Sequence, residues 1–459
     1  MHSFRSFIRL LEEKGELLKV KEEVNPKYEV TSILWKNEKS GKATLFEKVK
    51  GKNIPLIGGL YLNPNRIGLA LNLQMEEEDK KSVYRKLDKL IRSAILKPKP
   101  CINVKSGPVK EEIKKGKDVD LRNLPIPTFF RGDKSPYITA GVCIAKNPET
   151  ETLNLGLYRV QVRGKNKIVV YGSPESDLST IYSIAERKGY NHLDLAIAIG
   201  VEPSILISAI SKIPKNVSEL EVAGVLKGEP IRLVECETVN LKIPYDAEIV
   251  LEGKVKLKEK VEEGPFGEFS GYYSSSLSPL TIVTAISHRS NPFFHAVLPG
   301  PSKEHFTLMG LINIRLEQKI FTSLKSRFKG IRKLNLLWSF ETGNSMSLFI
   351  SLRKQNEEEP KRILKEVFRL KVGGKPVSNF VKRVVVVDED VDVYSLSDVE
   401  WAVSSRLLDK SQIYILPKVK GWSFERGVGL RKTSIRIGFD ATKPLEEKEK
   451  FRRVKLPKV

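Results

Sequence analysis

The sequence predicts an α/β (α+β) protein in which a β-rich middle lies between two α/β segments, and three observations carry that prediction. Helix-periodic stretches alternate with short apolar runs up to about residue 100; Pro, Gly and β-branched residues then become frequent from Pro98 on; and helical patterns return after Pro301. At about 100–200 residues per domain, 459 residues allow two to four domains with buried cores. Hydrophobic residues at 40% and charged residues at 29% are globular values, which excludes a disordered chain.

Along the first segment, Ser3 to Lys14 places Phe4, Phe7, Ile8 and Leu11 on one helical face, and Glu12 and Glu13 follow where a signal peptide would continue apolar. A cytoplasmic protein is expected. Thr44 to Val49 and Ile54 to Leu62 read as strands, and Glu76 to Leu96 as a charged helix. In the middle, Ile138 to Ala145, Leu155 to Arg163 and Lys167 to Tyr171 are strand candidates, the last two joined as a hairpin by Gly164-Lys165-Asn166. Ser179 to Lys188 reads as helix, and Ile231 to Val239, Glu248 to Leu257 and Leu280 to His288 as strands. Beyond Pro301, Thr307 to Glu317, Pro360 to Phe368 and Ser397 to Leu408 read as helices around a buried strand at Arg383 to Val387. The expected domains are 1–100, 101–300 and 301–459, the last ending in a basic oligomerisation tail.

The net charge of +23 attracts anions of every kind, from nucleic acid to a phosphorylated small molecule. Lys and Arg are interspersed with acids along the helices instead of gathered with aromatics, which disfavours the nucleic-acid alternative. No apolar run reaches the ~20 residues of a membrane span, since Leu195 to Ile210 is interrupted by Glu202 and Pro203. Cys101, Cys143 and Cys236 lack metal-knuckle spacing and are odd in number, so no disulfide framework is expected. The five histidines show no ligand spacing on one element, and no P-loop, zincin or nucleophile-elbow motif is present.

Chemistry is concentrated in two places. In Glu262-Glu263-Gly264-Pro265-Phe266-Gly267-Glu268-Phe269-Ser270-Gly271-Tyr272-Tyr273, two glycines and a proline form a tight loop between Glu263 and Glu268. Paired carboxylates in unlike surroundings separate their pKa values and can serve as acid and base; a solvated acidic turn has the same spacing. In Asn154-Leu155-Gly156-Leu157-Tyr158-Arg159, strand alternation puts Arg159 with Leu155 and Leu157 unless a bulge intervenes. A buried Arg there needs a carboxylate or phosphate; an edge Arg needs only water.

These two motifs occur in order with Leu124-Pro125-Ile126-Pro127, Val217-Ser218-Glu219 before Ala223-Gly224, Ala247 to Gly253, Asp388 to Arg406 and Gly438-Phe439-Asp440-Ala441-Thr442. Together they resemble the UbiD family of decarboxylases across nearly the whole chain. The resemblance implies a split β-barrel that binds prenylated flavin mononucleotide (prenylated FMN) and a non-redox carboxy-lyase acting on an α,β-unsaturated or aromatic acid. It further implies Glu268 as proton donor, with Glu263 and Arg159 as its supporting pair. Flavin contacts are implied for Leu157, Tyr158, Arg159, Tyr171, Gly172, Ser173, Ser176 and Asp177, and for Thr139 and Arg436. Asn154 and Glu219 match ligands of a divalent metal, manganese or magnesium, that ties down the flavin phosphate. Where many members have a histidine as third ligand, ungapped alignment puts Glu175.

The Lys-rich composition, poor in Gln, Met and Cys, is thermophile-like. Archaeal relatives include trans-anhydromevalonate 5-phosphate decarboxylases, which make isopentenyl phosphate for isoprenoid synthesis, and that activity is the expectation. A 4-hydroxybenzoate-type aryl-acid decarboxylase is the alternative. A flavin prenyltransferase as cofactor supplier and assembly into dimers or hexamers are further expectations.

Overall fold

The computed structural model describes residues 3–73, 80–338, 346–422, 425 and 431–454. It divides into two compact units, Met1–Ile312 and Asn313–Val459. The expected first and second segments share the first unit because their strands pair. Leu56–Gly58 runs parallel to Phe294–Ala296, closing a four-stranded sheet with Leu17–Val24 and Ala43–Val49. Ile102–Asn103 likewise pairs with Arg232–Glu235.

The helices are α1 (Phe4–Glu13), α2 (Glu29–Ser40), α3 (Pro64–Ala70), α4 (Lys80–Leu96), α5 (Asp177–Arg187), α6 (Pro203–Ile210), α7 (Glu219–Lys227), α8 (Lys303–Arg327), α9 (Glu359–Arg369) and α10 (Leu396–Arg406). Helix α1 begins at a capping box in which the Ser3 hydroxyl accepts the Ser6 N–H, and it buries the four apolar residues that its periodicity marks. Residues 76–79 of the expected Glu76 to Leu96 helix lie outside the described residues.

A curled, largely antiparallel nine-stranded sheet dominates the first unit. Its order is Tyr137–Ile138, Val160–Val162, Lys167–Val170, Tyr273–His288, Ile249–Gly267, His192–Ile199, Val142–Lys146 and Leu153–Leu157, with Glu112–Lys115 also paired to Tyr273–His288. The 19-residue strand Ile249–Gly267 and its 16-residue partner Tyr273–His288 run past the expected bounds at Leu257 and Leu280, with register shifts that let so long a ribbon bend. Two single strands expected from the apolar pattern are each broken. Ile138 to Ala145 divides at Ala140-Gly141, and Leu155 to Arg163 divides at Tyr158-Arg159, so each half joins a different edge of the curled sheet. The continuous core beneath it includes Val160, Ile168, Val170, Leu195, Ile197, Leu251, Val255 and Phe266.

In the second unit, a five-stranded sheet runs Ile331–Leu337, Met346–Leu352, Val381–Asp388, Ser434–Ala441, Ile413–Val419. Its continuously apolar strand Val384 to Val387 is fully buried between parallel neighbours. No helix among the described residues is long and apolar enough to cross a membrane.

Candidate active site

The strand break at Tyr158-Arg159 releases Arg159 from simple alternation, and its side chain is only 8% exposed. Its guanidinium grips Glu263 through two bonds, Nε to Oε1 at 3.0 Å and Nη2 to Oε2 at 2.5 Å. The third nitrogen, Nη1, meets Glu268 Oε1 and donates to Ser274 Oγ at 2.9 Å, and Ser274 Oγ donates to Glu268 Oε1 at 3.0 Å. Tyr171 lies 4.1 Å and Phe266 5.0 Å from the guanidinium carbon by ring centroid, so the cation is walled by aromatic faces. Both carboxylates, Glu263 and Glu268, therefore face one cation, and the solvated-turn alternative does not describe them.

The expected tight loop is instead the end of the strand Ile249–Gly267: Glu263 pairs with Ser276 and Phe266 with Ser274, so the register shifts between them in a β-bulge, where Gly264 adopts φ +101° and a Cβ would come within 2.5 Å of the Ser274 carbonyl oxygen. Glu263 is fully buried; burial pushes its carboxyl up from the usual range, while Arg159 and the Tyr137 hydroxyl pull it back down. Tyr137 packs on Phe266 at 4.4 Å between ring centroids, and burial raises its phenol. Tyr137 and Ser274 were not singled out from sequence. Each lies far along the chain from Arg159 or from the loop, and no local pattern marks either.

A second cluster surrounds a small pocket lined by Asn154, Asp177, Thr180, Lys215, Val217 and Glu219 among others. Glu219 Oε1 accepts the Asn154 side-chain N–H at 3.1 Å and Oε2 accepts the Leu155 backbone N–H at 2.9 Å. Burial, with Asp177 adding to it, pushes Glu219 up to about 7. Two helices start at this cavity: α5 at Asp177, capped by Ser176, and α7 at Glu219, capped by Ser218. Glu175 does not line it. The chain turns at Pro174-Glu175 and both residues are exposed, so the acidic residue that lines the pocket beside Glu219 is Asp177, two positions later.

The remaining expected flavin contacts divide. Gly172 packs under the α5 cap, where a Cβ would lie 2.8 Å from both Ser176 Oγ and Ser179 Oγ. The Tyr158 hydroxyl accepts the Leu178 N–H at 3.3 Å. Leu157 and Ser173 are half-buried on either side of this cluster. The Thr139 hydroxyl is buried and has no hydrogen-bond partner among the described residues. Arg436 belongs to the second unit, where its guanidinium is spent on Glu425 at 3.1 Å, on the Ser434 hydroxyl and on the Ser378 carbonyl.

The chain is similar to known proteins along nearly all of its length. Residues 102–302 match the Rift-related domain of 3-octaprenyl-4-hydroxybenzoate carboxy-lyase, 8–91 its N-terminal domain and 309–441 its C-terminal domain. A protein of Archaeoglobus fulgidus is 33% identical over 453 residues, covering 96% of this chain and 91% of its own. The UbiD-class enzyme HmfF from Pelotomaculum thermopropionicum, solved with FMN, superposes with a TM-score of 0.84 at 33% identity over 99% of this chain and 98% of that one. An evolved dimeric form of HmfF was solved with prenylated FMN. Vanillic acid decarboxylase from Sedimentibacter hydroxybenzoicus gives 0.80 at 26% identity over 100% and 96%. With its curled half-barrel, its Glu-Arg-Glu cluster and family matches along nearly all of its length, the chain belongs to the UbiD family of carboxy-lyases.

Proposed function

We propose that the protein decarboxylates an α,β-unsaturated acid with prenylated FMN, and that its substrate is trans-anhydromevalonate 5-phosphate, giving isopentenyl phosphate. The observation that carries the reaction type is the single cation, Arg159, held between the two buried carboxylates Glu263 and Glu268. The bidentate pair with Glu263 fixes the guanidinium plane and occupies two of its nitrogens. Nη1 is then the corner available to a substrate carboxylate. An incoming carboxylate competes with Glu268 for that corner. Loss of carbon dioxide leaves an electron pair that one proton must quench, and Glu268 supplies it, to be reloaded from solvent before the next cycle. Phe266 and Phe269, both buried, limit the water that reaches this proton.

The residues fit the cofactor. The buried, unpartnered Thr139 hydroxyl suits a polar contact to the cofactor. The oxygen donors Asn154, on the strand Leu153–Leu157, and Asp177 and Glu219, each at a helix N-terminus, would hold the cofactor's phosphate together with manganese or magnesium. When bound, prenylated FMN supplies the electron sink that the side chains lack.

The excess of Lys and Arg and the thermophile-like composition support a phosphorylated substrate. The likeness to vanillic acid decarboxylase favours an aryl acid as the second reading. Protein co-produced with a flavin prenyltransferase, checked by absorbance and mass spectrometry, would be assayed with trans-anhydromevalonate 5-phosphate, its dephosphorylated analogue, 4-hydroxybenzoate and vanillate. Turnover confined to the first is expected. Turnover of an aryl acid alone would reject the phosphate substrate and install the second reading.

A further inference from the structure

We infer that Asp133 is a positioning residue for the proton donor, acting through the backbone of Gly267; the inference rests on Glu268 being that donor. Asp133 is only 7% exposed, and it forms no ion pair among the described residues. Its two oxygens are instead divided between two stretches of backbone. Oδ2 accepts the Phe130 N–H at 2.8 Å and Oδ1 accepts the Gly267 N–H at 2.8 Å. A buried carboxylate is costly, and an apolar side chain here would leave the buried Gly267 N–H and the part-buried Phe130 N–H without this acceptor. What the arrangement secures is a fixed distance between the Phe130 to Lys134 turn and the residue preceding Glu268.

Further contacts join the same two stretches. The Lys134 N–H donates to the Pro265 carbonyl at 3.2 Å, and the Gly132 N–H donates to the Tyr273 hydroxyl at 3.0 Å. The Phe130 ring lies so close to the backbone that a Cβ on Gly267 would come within 2.3 Å of it, and one on Gly300 within 2.6 Å. Glu268 is thus attached to a backbone pinned on one side by Asp133 and pressed on the other by Phe130. Its carboxyl must reach both Arg159 and the substrate carbon, and a misplacement of about 1 Å costs on the order of 100-fold in rate.

The test compares cofactor-loaded wild type, Asp133→Asn, Gly267→Ala and Glu268→Gln, using whichever of the four acids above the wild type turns over. Asn keeps one acceptor but turns an N–H toward a backbone N–H, and Ala at 267 pushes the loop off Phe130. For Asp133→Asn the expected result is unchanged flavin content, kcat lower by about 100-fold, KM within about twofold and a displaced pH–rate profile; Gly267→Ala should show the same pattern. If Asp133→Asn does not fold, Gly267→Ala decides alone. A wild-type kcat and pH profile in the variants, beside an inactive Glu268→Gln, would overturn the role of Asp133 and leave the donor assignment standing. Activity lost only in proportion to flavin, with the pH profile unmoved, would also overturn it. An active Glu268→Gln would instead overturn the donor assignment, and the inference with it.

Discussion

Replacing Arg159 by Met should make the stability of the cofactor-free protein fall more steeply with rising pH than that of the wild type. Met retains much of the aliphatic stem between Tyr171 and Phe266 but removes the charge that faces Glu263 and Glu268. Glu263 is fully buried, and both of its oxygens lie on the guanidinium. Removing one partner of a buried pair typically costs about 3–5 kcal/mol, because the other charge stays behind. The Glu263 carboxyl already sits above its ordinary value through burial, and losing Arg159 raises it further. A carboxyl whose folded pKa exceeds its unfolded one binds a proton that unfolding releases, so stability falls as pH rises. The loss in Arg159→Met should therefore be largest near pH 8 and shrink as the pH is lowered toward 5, the direction in which Glu263 takes up a proton. Scanning calorimetry at both pH values, on Arg159→Met and on Arg159→Met/Glu263→Gln, measures this. The double variant should recover part of the loss at pH 8, since it no longer strands a charge. An equal loss at both pH values, or a double variant less stable than the single one, would refute the reasoning.

Three other outcomes follow from the same structure. Glu268→Gln should retain flavin while turnover falls at least 10²–10⁴-fold, and the wild type should place solvent deuterium on the carbon that carried the carboxylate; near-normal turnover would shift the donor role to Glu263. Asp177→Asn and Asn154→Ala should lower manganese binding measured by electron paramagnetic resonance in equilibrium dialysis, whereas Glu175→Ala, altering an exposed side chain, should not. His295→Phe should protect against acid: burial pushes this imidazole down to about 3, and neither ring nitrogen has a hydrogen-bond partner among the described residues. As pH falls below about 6.5 the unfolded chain takes up a proton that the folded one refuses, which at pH 4 amounts to about 3 kcal/mol; unfolding curves of wild type and variant that stay parallel from pH 8 to pH 4 would contradict this.

Much of this architecture is legible in the sequence because local rules govern it. The helical face of Phe4, Phe7, Ile8 and Leu11 and the buried run Val384 to Val387 express spacing that operates within a few residues, whereas the glycines and proline between Glu263 and Glu268 mark a bulge in a strand and not the loop their composition suggests. What happens between distant segments is not legible in this way. The break that turns Arg159 out of alternation depends on two halves of an apolar run joining different edges of a curled sheet. Glu175 and Asp177 are two residues apart and both acidic, yet only Asp177 lines the cavity, because α5 starts there and the preceding turn carries Glu175 into solvent. Arg159 meets Glu263 across 104 residues and Asp133 meets Gly267 across 134, so the pairings were set by strand register and packing. A sequence states which polar groups exist and what backbone each prefers; which buried donor finds which acceptor is decided when the sheet closes, because only there does leaving either one unpaired cost free energy.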